Sequence, residues 1–245
     1  MQGDERMTEA LYRTDPYARE AEARVLELTP EGGIVLDRSV FYPTGGGQPG
    51  DSGVVEWEGG VLGIATAQGR DDGRTVLVPT APQALPAVGV QVRQRLDWER
   101  RYRHMRVHTA LHLLSVAIPL PVTGGQISDG KGRLDFDMPD APDDKAVIEE
   151  AVNALIERDL PIGEDWITDA ELDAKPELVK TMAVKPPMGQ GRVRLIRIGT
   201  EGEQVDLQPC GGTHVASTSE IGRIRLGKIE KKGRQNRRVT LHLER

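Results

Sequence analysis

Two short stretches carry side chains able to hold a metal ion. His108 and His112 are spaced i and i+4 in His108-Thr109-Ala110-Leu111-His112-Leu113-Leu114. Cys210 and His214 repeat that spacing in Cys210-Gly211-Gly212-Thr213-His214. Nothing breaks a helix in the first stretch, and its surroundings (Met105, Val107, Val116, Ile118) are apolar. On a helix, i and i+4 lie on one face a turn apart, so two imidazoles can address one ion. The second stretch needs another geometry. Gly211 and Gly212 favour a turn, which can return a thiolate and an imidazole to one point. Together the four residues make a Cys/His3 set suited to tetrahedral zinc. The plainer alternative is a pair of hydrogen-bonded core histidines and a small buried cysteine. The chain's one cysteine lies four residues before a histidine in a Gly-Gly turn, which favours a shared metal.

His104 adds a further step of four before His108 but would stretch a tetrahedral shell. It is read as a pocket-edge or phosphate-contacting residue. His-x-x-x-His also resembles the zincin pattern, yet zincins need a Glu general base after the first His, and Thr109 stands there.

The elements that must position these residues follow from composition and pattern. A chain of 245 residues allows one large or two modest domains. A single cysteine excludes an internal disulfide and fits a reducing compartment. No signal pattern or membrane-length apolar run is visible, so a soluble cytoplasmic protein is expected. The net charge of −6 argues against a large nucleic-acid surface, but basic residues cluster at 93–106, 192–197 and 223–238. Such local faces can bind phosphates on an acidic protein, or be merely solvated.

Residues 1–20 read as an irregular lead-in. Strands are expected at Glu22–Leu28 and Ile34–Asp37, joined by a turn. Phe41-Tyr42-Pro43-Thr44-Gly45-Gly46-Gly47-Gln48-Pro49-Gly50-Asp51 can be neither helix nor regular strand, and reads as a shaped loop. It is not a nucleotide loop, because no Gly-Lys-Ser/Thr follows and the dinucleotide spacing is wrong. Short strands at Gly53–Trp57, Gly60–Ala67, Arg74–Val78 and Val88–Leu96 predict a small β-barrel or sandwich, and a first domain over residues 1–96. A charged segment, Asp97–Arg103, then leads into the histidine helix, which Pro119 and Pro121 end. Thr123-Gly124-Gly125 reads as a turn, Arg133–Asp137 as a strand, and Val147, Ile148, Ala151, Leu155 and Ile156 as a helical stripe. A short helix interrupted at Pro176 is expected over Asp169–Thr181, and a loop at Lys185-Pro186-Pro187-Met188-Gly189. Strands follow at Val193–Ile198, Gln204–Leu207, Ile221–Glu230 and Arg237–Glu244. The expected class is α+β, an N-terminal β-barrel followed by a domain over residues 97–245 with helices on an antiparallel sheet.

Four pieces in order carry a resemblance: Phe41–Asp51, His108–Leu114, Pro209–Val215 and Lys228–Val239. The chain resembles alanyl-tRNA editing proteins of the AlaX type, in their medium-length class. The two metal halves alone would also fit threonyl-tRNA synthetase editing domains; the Gly-rich loop makes the likeness specific to the alanine branch. The resemblance implies a zinc-dependent hydrolase that deacylates mischarged tRNA for alanine, Ser-tRNA above all and Gly-tRNA second. An alanine pocket cannot exclude the smaller glycine and rejects serine poorly, so a second site must hydrolyse the wrong ester. It further implies His108, His112, Cys210 and His214 as zinc ligands, the zinc orienting substrate and water or activating the water. Gln126 is the candidate for hydrogen bonding substrate or water. Thr109, Thr213, Gly45, Gly46 and Gly47 are candidate pocket residues. Arg101, Arg103, Lys231 and Lys232 are candidate contacts to the tRNA acceptor end. No membrane and no obligate protein partner are expected. The competing reading is a zinc-stabilised tRNA-binding module without hydrolytic activity.

Overall fold

The computed structural model describes residues 7–142, 144–181 and 191–244. The expected loop at residues 185–189 and part of the lead-in lie outside them. The chain divides into two compact units, Met1–Tyr102 and Arg103–Arg245.

The first unit is built from β1 (Glu9–Ala10), α1 (Leu11–Thr14), β2 (Glu20–Leu28), β3 (Ile34–Leu36), β4 (Arg38–Ser39), β5 (Gly53–Trp57), β6 (Gly60–Gly69), β7 (Thr75–Pro79) and β8 (Gln91–Leu96). The lead-in is therefore not irregular: β1 pairs with β4, and a turn of helix follows it. Strands β2-β3-β7-β6-β5-β8 close into a barrel, as β8 pairs back onto β2. The strands alternate, so Val25, Val55, Leu62, Ile64, Leu77 and Val92 fill the interior. Closure removes the exposed sheet edges that such short strands would otherwise present.

Helix α2 (Trp98–Ala117) runs from the first unit into the second. The charged segment expected to lead into this helix is its first turns, since Arg and Glu are good helix formers. The second unit continues with β9 (Val122–Ser128), β10 (Lys131–Asp137), α3 (Lys145–Glu157), β11 (Ile162–Ile167), α4 (Asp169–Asp173), β12 (Val193–Thr200), β13 (Glu203–Pro209), β14 (Ile224–Leu226), β15 (Glu230–Lys231) and β16 (Asn236–Leu243). One sheet has the order β14-β16-β10-β9, with β15 also on β16; a second is β11-β12-β13. Helix α2 packs closely on the first sheet: a Cβ at Gly132 would stand 2.6 Å from Val107 Cγ1 and 3.0 Å from Leu111 Cδ1.

Two local expectations are corrected. Thr123–Gly125 is strand, because pairing of Gly124 and Gly125 with Asp135 and Leu134 of β10 overrides the glycines' turn preference, with an irregularity in register at Thr123. Residues 221–230 are not one strand: a 3-10 turn ends at Ile221, and β14 and β15 are short. Ile162–Ile167, which carries no clear alternation of its own, forms an edge strand through its register with β12.

Candidate metal centre

The cluster lies wholly in the second unit. Helix α2 places His108 and His112 one turn apart on one face, with ring centroids 5.4 Å apart. The turn after β13 brings Cys210 and His214 to them. Cys210 Sγ lies 3.4 Å from His108 Nε2 and 3.3 Å from His214 Nε2, and one ligand atom from each of the four residues lies within 4.8 Å of the others. The three histidines are 3–7% exposed, whereas Cys210 is only partly buried.

Three of the four ligands, His112, His214 and Cys210, are aimed by a neighbour. Asp206 Oδ2 accepts from His112 Nδ1 at 2.9 Å. The same oxygen accepts from Gln208 Nε2 at 2.7 Å, and Oδ1 pairs with Lys180 Nζ at 2.5 Å. A proton held on His112 Nδ1 turns Nε2 into the cluster. Thr109 does the same for His214. Its hydroxyl gives its proton to the Met105 carbonyl at 3.0 Å, so its oxygen is the acceptor toward His214 Nδ1 at 3.1 Å and Val215 N at 3.4 Å. That assigns the His214 proton to Nδ1 from the hydrogen-bond network and leaves Nε2 as a lone pair. Arg194 fixes the cysteine turn, donating to the carbonyls of Cys210 (3.1 Å) and Gly212 (2.8 Å), and the Gly212 N–H points at Cys210 Sγ (3.5 Å).

The electrostatics match these roles. Burial alone would pull His112 down, but its bonds to Asp206 and Cys210 outweigh this and push it up to about 9. Burial would raise Asp206, yet His112 and Lys180 hold it at about 2. Burial and the charge on His108 lower His214 to about 3. Burial would raise the Cys210 thiol, but His108 and His214 bring it well below its usual range. A metal-free thiolate among imidazoles is what a cation would replace protons on.

The donor set passes a test for zinc. Bond lengths of about 2.1 Å to nitrogen and 2.3 Å to sulfur put tetrahedral donors roughly 3.4–3.6 Å apart. The separations of Cys210 Sγ from His108 Nε2, 3.4 Å, and from His214 Nε2, 3.3 Å, lie at and just under the short end of that range. The carboxylate behind His112 is the usual support of a zinc-bound imidazole.

Other expected residues fall elsewhere. Gln126 lies on β9, exposed, with Oε1 accepting from Arg133 at 3.2–3.3 Å. Its register partner is Arg133, on the sheet face opposite the one Gly132 turns to α2, so the structure does not bring it to the cluster. Arg101 is fully buried, donating to Asp51 Oδ2 (2.8 Å from Nε) and to the carbonyls of Val40 (2.6 Å) and Pro16 (3.0 Å). Its expected phosphate contact is therefore corrected: the guanidinium holds the Gly-rich loop instead. His104 is likewise buried, which removes its expected phosphate contact. Arg103 pairs with Asp129, Lys232 with Glu230 at 2.7 Å, and Lys231 is exposed on β15. Thr109 and Thr213 are both buried, at 0% and 1% exposure. Gly45, Gly46 and Gly47 belong to the first unit, in a tight turn closed by Gly45 N to Gln48 O (3.1 Å) and Gln48 N to Gly45 O (2.9 Å). Gly46 and Gly47 have φ of +55° and +83°, a pair that only glycine adopts without strain. Sequence reasoning missed Asp206, Gln208, Lys180 and Arg194. Their one signal is that Asp206 and Gln208 alternate along the strand that ends at Cys210.

Comparison with known proteins agrees with this geometry. Residues 193–240 match the family model described as threonyl and alanyl tRNA synthetase second additional domain, and residues 10–100 that of tRNA synthetases class II (A). The chain is 36% identical over 243 residues to alanyl-tRNA editing protein AlaX-M of Methanosarcina acetivorans, spanning 95% of this chain and 98% of that protein. It is 33% identical to AlaX-L of Pyrococcus horikoshii over 57% of that protein, and 34% identical to the alanine–tRNA ligase of Pyrobaculum arsenaticum over 25% of it. Among the described residues no helix is long and apolar enough to cross a membrane.

Proposed function

The chain belongs to the alanyl-tRNA editing proteins of the AlaX-M type, and from that premise we propose that it hydrolyses the ester of mischarged tRNA for alanine in trans, removing serine first and glycine second, with zinc held by His108, His112, Cys210 and His214. The observation that carries this reading is the convergence of the four ligand atoms, with Cys210 the one partly exposed residue among them. A wholly enclosed shell suits a structural ion; an accessible one admits substrate. Zinc, when bound, supplies a Lewis acid that can hold the amino or hydroxyl group of the aminoacyl moiety and orient its ester toward water.

The chain's own residues do the rest. Asp206 keeps the proton on His112 Nδ1, and Thr109 keeps it on His214 Nδ1, so neither imidazole can turn its lone pair away. Arg194 holds the Cys210–Gly212 turn to β12 and so fixes the thiolate. Thr213, buried beside His214, supports the ligand rather than meeting substrate. The exposed cations Arg103, Lys231 and Lys232 are available to tRNA phosphates, Arg103 and Lys232 by exchanging a carboxylate partner.

The test is deacylation of Ser-, Gly- and Ala-tRNA for alanine by the metal-loaded protein and by Cys210→Ala. Cleavage of Ser-tRNA with Ala-tRNA spared, and joint loss of metal and activity in the variant, supports the proposal. A metal-loaded wild type that binds the tRNA but cleaves none of the three overturns it in favour of a zinc-stabilised binding module.

A further inference from the structure

Burial alternates along β10, β16 and β14, so each strand turns one set of residues inward and the other to solvent. Leu134, Phe136, Val239, Leu241, Ile224 and Leu226 face inward. On the solvent face the register lines up Lys131 with His242 and His242 with Arg225. Three basic side chains thus stand in one row across three strands. Directly opposed residues have Cβ atoms about 5 Å apart, so the Lys131 and Arg225 cations flank the His242 imidazole on either side.

Elsewhere on this face the fold neutralises its cations. Asp135 pairs with Arg133 at 2.6 Å and with Arg238 at 2.8 Å. Among the described residues no ion pair joins a carboxylate to Lys131 or Arg225, and Lys228 lies in the field of Glu230. The row runs into an open groove of about 600 Å³, whose lining includes Lys145, Arg225, Gly227, Lys228 and His242 and, among the described residues, no acidic side chain. Lys145 Nζ is anchored there by the carbonyls of Leu226 (3.0 Å) and Gly227 (3.4 Å). A Cβ at Gly227 would stand 3.3 Å from His242 Nε2 and 3.4 Å from the Thr240 carbonyl, so glycine keeps the groove floor open. Burial, then the charges of Lys131 and Arg225, lower the His242 pKa.

We propose that this row and groove form a phosphate-binding surface for the RNA backbone, with Lys131, Arg225, Lys228 and His242 as contacts. The identity of the RNA rests on the editing function above; the anion chemistry does not. Among its described residues the groove lining holds no Phe, Tyr or Trp and a single imidazole, His242, so its contacts are chiefly to backbone phosphate and carry little sequence reading. The row faces away from α2, which packs on the sheet's other side, so it meets phosphates of the tRNA body and not the reactive ester.

The test is binding of deacylated tRNA for alanine to the full, metal-loaded chain across a salt series. Lys131→Glu/Arg225→Glu weakens binding at least about tenfold and lowers the salt slope by about 2, near 0.9 per lost phosphate contact. Lys131→Arg/Arg225→Lys stays within about twofold. In deacylation the reversed pair raises KM and leaves kcat within about twofold. Both positions are exposed, so the reversed pair keeps its thermal midpoint near wild type; Arg225→Ala alone weakens binding in the same direction with a slope change of about 1. Wild-type affinity and slope in the reversed pair overturn the proposal while leaving editing untouched. A wild type that cleaves nothing, yet loses RNA binding through these substitutions, overturns the editing reading and keeps the surface.

Discussion

Arg101 and the His108/His112 pair are buried on the same helix, yet their partners differ in kind. Arg101 meets Asp51 and two backbone carbonyls, so its donors are met by acceptors within the first unit. The histidines, with Cys210 and His214, turn their metal-binding atoms toward one another in the second unit, and the outward nitrogens of His112 and His214 are the ones the fold satisfies. A closed set of donors and acceptors is architecture; a convergence of acceptors asks for a cation. Burial and charge alone do not separate the two. The direction of the hydrogen bonds does.

Removing one partner from each cluster should show the difference. Arg101→Ala leaves Asp51 buried and uncompensated, and is expected to cost about 3–5 kcal/mol of unfolding free energy without lowering the metal affinity of the folded fraction. Denaturant unfolding and metal titration check the two halves. An Arg101→Ala protein as stable as wild type would break the contrast. Asp206→Asn is expected to do the reverse, weakening metal binding 10–100-fold, because the supporting carboxylate sets the orientation and basicity of His112. Competition against a chelator reads that ratio.

Thr109 sharpens the comparison at smaller scale. Thr109→Ser keeps the acceptor for His214 Nδ1 and holds metal affinity, whereas Thr109→Val leaves a buried donor unpaired at about 1–3 kcal/mol. The subtlest effect is on protons. His112, at about 9 without metal, is protonated at pH 7 and must release that proton when a metal binds. Calorimetry in buffers of different ionisation enthalpy should find roughly one proton or more released per metal. Asp206 has a depressed pKa, about 2 against 3.8, so its contribution to stability is present above pH 3.8 and is lost as pH falls through 2.

The parts of the molecule that were legible in the sequence are those set by local chemistry. Gly and Pro punctuation delimited the barrel strands between Gly53 and Leu96, and i, i+4 spacing placed His108 and His112 on one helix. What was hidden is set by distant partners. Asp51 stands fifty positions before Arg101, so a charge-based reading put that arginine on the surface. Asp206 stands 94 positions after His112, and nothing local marks it as the residue that aims a ligand. Ile162–Ile167 becomes a strand only because β12 lies beside it, and Gln126 faces solvent because of its register with Arg133.

The most direct test is zinc-edge X-ray absorption on the purified protein, with metal counted per chain. One zinc per chain with one sulfur and three imidazole nitrogens, the sulfur lost in Cys210→Ala, is the predicted result. A chain that takes up no zinc, or a zinc whose shell is unchanged by Cys210→Ala, contradicts the metal centre and the function built on it.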